Sequence, residues 1–311
     1  MWKIDVTGSS SSSWSVAFGG EPLFVAKDTS GNRQPITSRP AITRHPRSIR
    51  EGVLVLFGTG KYLEVNDDVV DGAPTQSVYA IWDRDGYYNA GLSERNSTGD
   101  HGFRRSSLNN PRLDVDSASN NRVIHDYGPN TPVWFDEDGE PVSRGWVVDL
   151  PVEGERVVRN IILRDNIALL VTLIPEGDAC SAGGSGWFMA INAETGGSPR
   201  FPVIDINDDN IIDEQDTLFI DNPFDDLTDD VVANPVGIEM LSIPNLPALL
   251  YDDRASDLGS PFPLRANAPR GCGSDGAKSF TYTTRTNGSI VMVAAAHQPL
   301  ACGRQSWMQT H

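Results

Sequence analysis

The stretch "ERVVRNIILRDNIALLVTLIP", Glu155 to Pro175, divides at Asp165-Asn166 into two short runs rich in Val, Ile and Leu. Each run has the length and the β-branched content of a strand, and the polar dipeptide between them is a turn signal. The stretch therefore predicts a β-hairpin. The rest of the chain repeats this pattern of short apolar runs separated by turn residues.

Further strands are predicted along most of the chain. They lie in "GVLVLFGTGKYLEV" (52–65), "QSVYAIWDRDG" (76–86), "GWVVDLP" (145–151), "SGWFMAINAETGG" (185–197) and "SFTYTTRTNGSIVMVAAA" (279–296). The last is a hairpin about Asn287-Gly288, a dipeptide suited to a type I′ turn. Only "NLPALLYDDRASD" (245–257) has short helical character. Many short strands without alternating helices predict an all-β fold.

Other features of the chain are interpreted as structural. Two segments, near 93–121 and 221–270, are predicted as insertions in a single domain spanning residues 1–311. The string "FGTGKY" lacks the spacing of a phosphate-binding loop and is read as a tight turn between strands. Four tryptophans in or beside the strands are predicted to lie in the core: Trp82, Trp146, Trp187 and Trp307.

The net charge of -17 and the pI of about 4.6 make nucleic acid a poor candidate partner, since a phosphate backbone would be repelled. No stretch approaches the roughly 20 apolar residues of a membrane span. The first residues, "MWKIDVTGSSSSSW", lack the apolar core of a signal peptide. The chain is thus expected to be cytosolic, or a piece of a longer precursor whose signal lies upstream.

Three cysteines, Cys180, Cys272 and Cys302, show no metal-ligand spacing. Cys272 and Cys302 bracket the predicted C-terminal hairpin, and a disulfide between them would imply an oxidising compartment. Three buried thiols are the alternative.

The acidic loop "DINDDNIIDEQD", Asp205 to Asp216, is the strongest candidate site. No Lys or Arg occurs between Arg200 and Arg254, a span that holds 14 of the 42 acidic residues. Counting Asp205 as position 1, oxygen-bearing side chains follow at positions 3, 5, 9 and 12, and position 7 supplies a backbone carbonyl, as in a calcium loop of the EF-hand kind. The loop therefore predicts a Ca²⁺ site, with a solvated acidic turn as the alternative.

The loop departs from an EF-hand in three ways. Position 6 is Asn210 instead of Gly, position 12 is the shorter Asp216, and the flanking runs resemble strands instead of helices. A calcium loop grafted between strands is the expectation. Two other acidic stretches, Asp114 with Asp116 and the run from Asp221 to Asp230, are predicted to be a turn and a solvated loop.

No catalytic constellation stands out in the sequence. "GGSGW" (183–187) resembles a nucleophile elbow only superficially, because Trp187 stands where the elbow has Gly. The five histidines are scattered: His45, His101, His125, His297 and His311. The chain is therefore not expected to be an enzyme.

Seven fragments in order carry a resemblance to a known family. They are "PITSRPAITRHP" (35–46), "VLFGTGKYLE" (55–64), "TQSVYAIWDRDG" (75–86), "RGWVVDLPVEGERVV" (144–158), "LLVTLIPEGDACSAGGSGWFMAINAETGG" (169–197), "DINDDNIID" (205–213) and "GRQSW" (303–307). Together they resemble the C-terminal domain of the PilY/PilC proteins, the tip-associated adhesins and biogenesis factors of type IV pili.

The resemblance implies a modified, quinoprotein-like β-propeller. Family propellers are longer than this chain, so a partial or shortened set of blades is expected. The family's calcium ligands map onto Asp205, Asn207, Asp209, the Ile211 carbonyl and Asp213; Asp216 would be a further ligand in an EF-hand. Calcium occupancy in the family is linked to pilus extension or retraction, and hence to twitching motility and attachment.

The same resemblance implies secretion through an upstream signal, display at the pilus tip, and minor pilins as partners. The Arg-Gly-Asp tripeptide of some relatives is absent, so the resemblance implies no integrin ligand on a host or abiotic surface. A quinoprotein-like dehydrogenase and a purely structural surface protein are the competing interpretations. An enzyme would need cofactor contacts from many blades, whereas the predicted calcium ligands lie in one contiguous loop.

Overall fold

The computed structural model describes residues 1–45, 52–83, 105–125, 133–138, 142–164, 166–176, 183–207, 212–220, 231–245, 248–252, 278–284 and 290–295. These residues form eighteen strands: β1 Ile4–Asp5, β2 Ser15–Val16, β3 Ala41–Arg44, β4 Val53–Gly58, β5 Ser77–Asp83, β6 Arg112–Val115, β7 Asn121–His125, β8 Gly145–Asp149, β9 Ile162–Arg164, β10 Ile167–Val171, β11 Ile174–Pro175, β12 Gly184–Asn192, β13 Leu218–Ile220, β14 Val231–Ala233, β15 Gly237–Met240, β16 Ala248–Asp252, β17 Lys278–Thr284 and β18 Ile290–Ala295. A single four-residue turn, Ala17–Gly20, and two 3₁₀ turns complete the described elements. The all-β prediction is confirmed.

The first sheet has the strand order β3-β4-β5-β8 and is antiparallel throughout. Its inner strand β5 is buried along its whole length, and the apolar run "VYAIW" (78–82) fits a strand that is covered on both faces. One face carries Phe57, Tyr79 and Ile81, which pack against Phe24 from the N-terminal segment.

The second sheet has the order β6-β7-β15-β12-β10-β9, with β11 paired to β12. The hairpin predicted between residues 155 and 175 is its β9-β10 pair, with Ile167 opposite Arg164. Asn166 in the turn has a φ of 68°, a left-handed conformation that Asn adopts more readily than most residues. The predicted hairpin is confirmed.

The two sheets bury a common core. The first sheet contributes Leu54, Leu56, Val78, Ala80, Trp82, Trp146 and Val148, and the second contributes Leu113, Ile124, Ala168, Leu170, Trp187, Met189 and Ile191. Three of the four tryptophans predicted to lie in the core therefore do so, and Trp307 lies outside the described residues. Trp146 also donates its Nε1–H to the carbonyl of Ala193 at 3.1 Å, which satisfies its one polar atom.

An ion pair links the two halves of this core. Arg122 on β7 donates from both Nη atoms to the two carboxylate oxygens of Glu155, each at 2.6 Å, and both side chains are fully buried. The guanidinium lies 3.9 Å from the ring centre of Trp187, in cation–π contact. The pair joins a strand of the second sheet to the connection that follows β8.

Two sequence interpretations differ from the structure. The segment 245–257, read as helical, contains strand β16, because Ala248–Asp252 pairs with Lys278–Thr284. Part of the segment 93–121, read as an exposed insertion, forms β6, whose Leu113 lies in the core. Asp114 accordingly lies in a strand, and only Asp116 begins a turn, accepting the N–H of Ser119.

Several predictions fall outside the described residues, including the Asn287-Gly288 turn, the run 221–230 and all three cysteines. The described residues contain no helix with the length and apolar content of a membrane span.

Candidate cation loop

The entry to the acidic loop is fixed by apolar contacts on the second sheet. Val203 and Ile204 are buried and pack with Leu169, Phe188 and other side chains on the face of that sheet turned away from the common core. The alternation of apolar and polar residues in "VIDIN" fits an extended segment lying against a sheet. The loop therefore leaves from a fixed point.

The exit from the loop is fixed in a similar way. Strand β13 follows directly after Thr217 and pairs with β14, with Leu218 opposite Ala233. Leu218 and Ile220 are buried against Val123 of β7. Ile206 packs against both the entry cluster and this exit cluster. Both ends of the loop thus rest on the same sheet.

Asp216 joins the two ends by hydrogen bonds. Its Oδ1 accepts the Ile206 N–H at 2.9 Å, and its Oδ2 accepts the Asp213 N–H at 2.9 Å. The side chain is fully buried. A buried carboxylate is stabilised when backbone N–H groups bind it in this way. The loop is therefore closed across ten residues by one side chain.

Asp213 has an ordered position beside this closure. Its Oδ1 accepts the Gln215 N–H at 2.8 Å, and its carbonyl accepts the Asp216 N–H at 3.1 Å. These bonds form a compact turn after the segment 208–211, which is outside the described residues. The turn fixes the carboxylate at position 9 relative to the loop exit.

Of the five predicted ligands, Asp205, Asn207 and Asp213 are described, and Asp209 and Ile211 are not. Within the described part of the chain, no three Asp, Glu, His or Cys side chains gather into a metal-binding group. The described ligands belong to the two ends of the loop, and the predicted ligands between them fall in residues 208–211, outside the described residues. The calcium assignment stays a prediction.

The donor set fits a hard cation. Four of the predicted ligands offer a side-chain oxygen, Ile211 offers its backbone carbonyl, and neither sulfur nor imidazole occurs within the loop. Oxygen donors at alternate positions suit Ca²⁺, which takes 6 to 8 of them in flexible geometry. No Lys or Arg occurs between Arg200 and Arg254 to neutralise these carboxylates from within the segment.

The sequence placed Asp216 as a doubtful ligand and missed its role in closing the loop. That role depends on the distance between Ile206 and Asp213 in space, which no local pattern reveals. Asp at position 12 was the signal that could have suggested it, because a carboxylate after a turn often accepts backbone N–H groups.

Asp216→Asn is expected to lower the free energy of unfolding by about 1–3 kcal/mol in calcium-free buffer. The amide keeps one acceptor oxygen, so one of the two partly buried backbone N–H groups loses its partner. Urea unfolding in EGTA measures the change, and Glu214→Gln, at an exposed neighbouring position, is the control. Equal stability of Asp216→Asn and the unchanged protein would show that the closure contributes nothing.

The structure also positions the residues considered for catalysis. Ser185 lies within β12, opposite Ile174, and not on the strand-to-helix turn of a nucleophile elbow. His125 Nε2 lies 3.0 Å from the Asp114 carboxylate, which Arg112 also contacts at 2.7 Å. His45 stacks on Trp82 in the core. These contexts are those of structural side chains.

Comparison with known proteins gives the same family as the sequence fragments. Residues 3–117 match the family described as the PilY1 beta-propeller domain. The type IV pilus biogenesis factor PilY1 of Pseudomonas aeruginosa strain PAO1 is 34% identical over 212 residues, which are 66% of this chain and 18% of the relative. A PilY1 homolog from Xylella fastidiosa is 28% identical over 210 residues, 64% of this chain and 13% of the relative.

The fold is similar to a solved one. The crystal structure of the Pseudomonas aeruginosa PilY1 C-terminal domain superposes with a TM-score of 0.64 at 23% identity, covering 92% of this chain and 50% of that chain. The chain thus spans about half of the solved domain and under a fifth of the curated relatives it matches. Its two packed sheets agree with part of a propeller, and the chain resembles PilY1 β-propeller proteins in sequence and in fold.

Proposed function

We propose that this chain is a calcium-binding part of a type IV pilus-associated protein, acting in pilus biogenesis and attachment without enzymatic activity. The proposed Ca²⁺ ligands are Asp205, Asn207, Asp209, the Ile211 carbonyl and Asp213. The observation that carries the proposal is the loop itself: oxygen donors at calcium-loop spacing, between ends that are fixed to one sheet. The names of the relatives support the association with pili.

The chain's own residues prepare the loop for an ion. Asp216 holds Ile206 and Asp213 near each other, so the first and last predicted ligands start from fixed backbone positions. Preorganisation of this kind lowers the ordering cost of binding. The ion supplies positive charge that offsets the repulsion among the carboxylates. Six to eight oxygen donors along one loop favour Ca²⁺ over Mg²⁺, which demands a smaller octahedral site.

The proposed regulation follows from the anchoring of the loop. Ile206 contacts apolar clusters on both sides of the loop, one on the second sheet and one beneath β13. Ordering the loop around an ion therefore favours one arrangement of β13 and β14 over others. We propose that this arrangement biases pilus extension against retraction through minor pilins at the pilus tip, outside the cell.

Isothermal titration of calcium into chelator-stripped protein tests the binding site. We expect one saturable event, with magnesium giving much weaker binding. Absence of both a calorimetric signal and calcium uptake in equilibrium dialysis would reject the cation site and reduce the loop to an acidic turn. The number of surface pili on cells carrying Asp213→Ala, compared with Glu214→Ala, then tests the regulatory role separately.

A further inference from the structure

A second loop, residues 59–76 between β4 and β5, is tied to the body of the protein at its base. The Thr59 N–H donates to the Ser77 carbonyl at 2.9 Å, and the Val157 N–H donates to the Thr59 carbonyl at 2.8 Å. The Gly60 N–H donates to the Pro35 carbonyl at 2.8 Å. Gly60 has a φ of 139°, and a Cβ there would lie 2.5 Å from the Cβ of Arg156. The loop leaves the sheet in close contact with Arg156.

The Arg156 guanidinium binds the two limbs of the loop by hydrogen bonds. Its Nη1 donates to the carbonyls of Lys61 at 3.1 Å and Asp67 at 2.6 Å, and its Nε donates to Gly154 at 2.8 Å. The side chain is buried. Because one guanidinium binds both limbs of the loop, residues 61 and 67 stay a fixed distance apart. The five residues between them must project outward.

Asp67 fixes that projecting turn. Its Oδ2 accepts the N–H groups of Leu63 and Glu64, both at 2.9 Å, and its Oδ1 lies 3.2 Å from Lys61 Nζ. The Leu63 and Glu64 N–H groups, followed by Lys61, lower the pKa of Asp67 to about 2. The turn is therefore built by an ionised carboxylate that remains charged at any physiological pH.

The fixed turn presents apolar side chains to solvent. Leu63 is 80% exposed and Val65 is 91% exposed, the two largest values among the exposed large hydrophobic residues of the described chain. Tyr62 and Val69 beside them are also exposed. Single exposed apolar residues need no explanation, but four in eight residues on a hydrogen-bonded frame form a patch of the kind that binds partners.

The charges around this patch indicate the charge of the partner surface that it would bind. Glu64, Asp68 and Asp71 accompany the apolar residues, and the nearby Lys61 is already paired with Glu64 and Asp67. The loop thus has an apolar tip with an acidic flank. Complementary potentials across an interface favour a positively charged rim on the other side.

We propose that residues 59–76 form a docking element that places Leu63 and Val65 in an apolar cleft rimmed by Lys or Arg on a partner protein. The rigid frame gives the contact at a low ordering cost. This surface is separate from the cation loop, and its binding does not require calcium.

Binding to beads that carry octyl chains and primary amines tests the proposal, with EGTA present so that the cation loop has no influence. Leu63→Ser with Val65→Ser is expected to weaken bead binding about tenfold. The control pair, Ile42→Ser with Leu241→Ser, removes two other exposed apolar side chains and should bind as the unchanged protein does. Both pairs alter exposed positions, and equal thermal midpoints would confirm that they fold.

The acidic flank is tested on the same beads. Glu64→Gln with Asp68→Asn and Asp71→Asn should weaken binding to octyl-amine beads while leaving binding to uncharged octyl beads unchanged. If the Leu63/Val65 pair and the Ile42/Leu241 control pair lost bead binding equally, the proposal would be overturned, because any exposed apolar side chain would then contribute to binding. Binding to phosphatidylcholine vesicles is measured as well. If Leu63→Ser with Val65→Ser weakened vesicle binding but not bead binding, the result would overturn the proposal and identify a lipid surface as the occupant.

Discussion

Glu155→Leu is expected to lower the free energy of unfolding by about 3–5 kcal/mol, the cost of leaving one buried charge without its partner. Arg122 has no access to solvent, and its two Nη atoms bind the two Glu155 oxygens at 2.6 Å. The cation–π contact with Trp187 offsets only part of the desolvation of the guanidinium. The charge would therefore remain uncompensated within the common core.

Urea unfolding of Glu155→Leu measures this effect, with Glu153→Gln as the control two residues away. Glu153 is exposed and accepts the Gly72 N–H, so its substitution should change the stability little. Adding Arg122→Met to Glu155→Leu should restore much of the loss, because an apolar pair can replace a buried ion pair at little cost. A loss below about 1 kcal/mol in Glu155→Leu would contradict the assigned role of the pair.

Asp213→Ala is expected to weaken calcium binding about a hundredfold, which corresponds to about 2.7 kcal/mol. The substitution removes a carboxylate at position 9 of the loop and leaves the Asp216 closure intact, since Asp213 supplies its backbone N–H to that bond. Calcium titration by calorimetry measures the affinity. Glu214→Ala makes the same charge change at a position without a ligand role, so its affinity should stay near that of the unchanged protein.

An equal loss in both variants would mean that general negative charge, and not a specific ligand, attracts the ion. The free energy of unfolding in EGTA separates binding from folding. Asp213→Ala should unfold near the unchanged protein there, whereas Asp216→Asn should not.

Strands with clear turn signals could be predicted from the sequence. The β9-β10 hairpin was marked by Asp165-Asn166 between two apolar runs, and β5, β8 and β12 by similar runs that end in Gly, Pro or Asp. Strand β16 was misread because "ALLYD" is a short apolar run, which periodicity alone does not assign to helix or strand. Its pairing with β17 decides the outcome.

Long-range features could not be predicted in this way. Arg122 and Glu155 are separated by 32 intervening residues, and only the packing of two sheets brings them together. The Asp216 closure and the contacts of Arg156 with residues 61 and 67 depend in the same way on tertiary structure. The predicted ligand pattern, by contrast, is local to residues 205–213, so the sequence alone could propose it.

Thermal unfolding in EGTA and in a calcium titration is the decisive measurement for a calcium site in this loop. Calcium that binds only the native protein should add about 2.7 kcal/mol of stability at a hundredfold excess over its dissociation constant. We predict a midpoint that rises with calcium, stays unchanged with magnesium and no longer responds to calcium in Asp213→Ala. A midpoint that does not change with calcium would contradict a specific calcium site in this loop. So would a midpoint that rises equally with magnesium, or one that rises with calcium equally in Asp213→Ala.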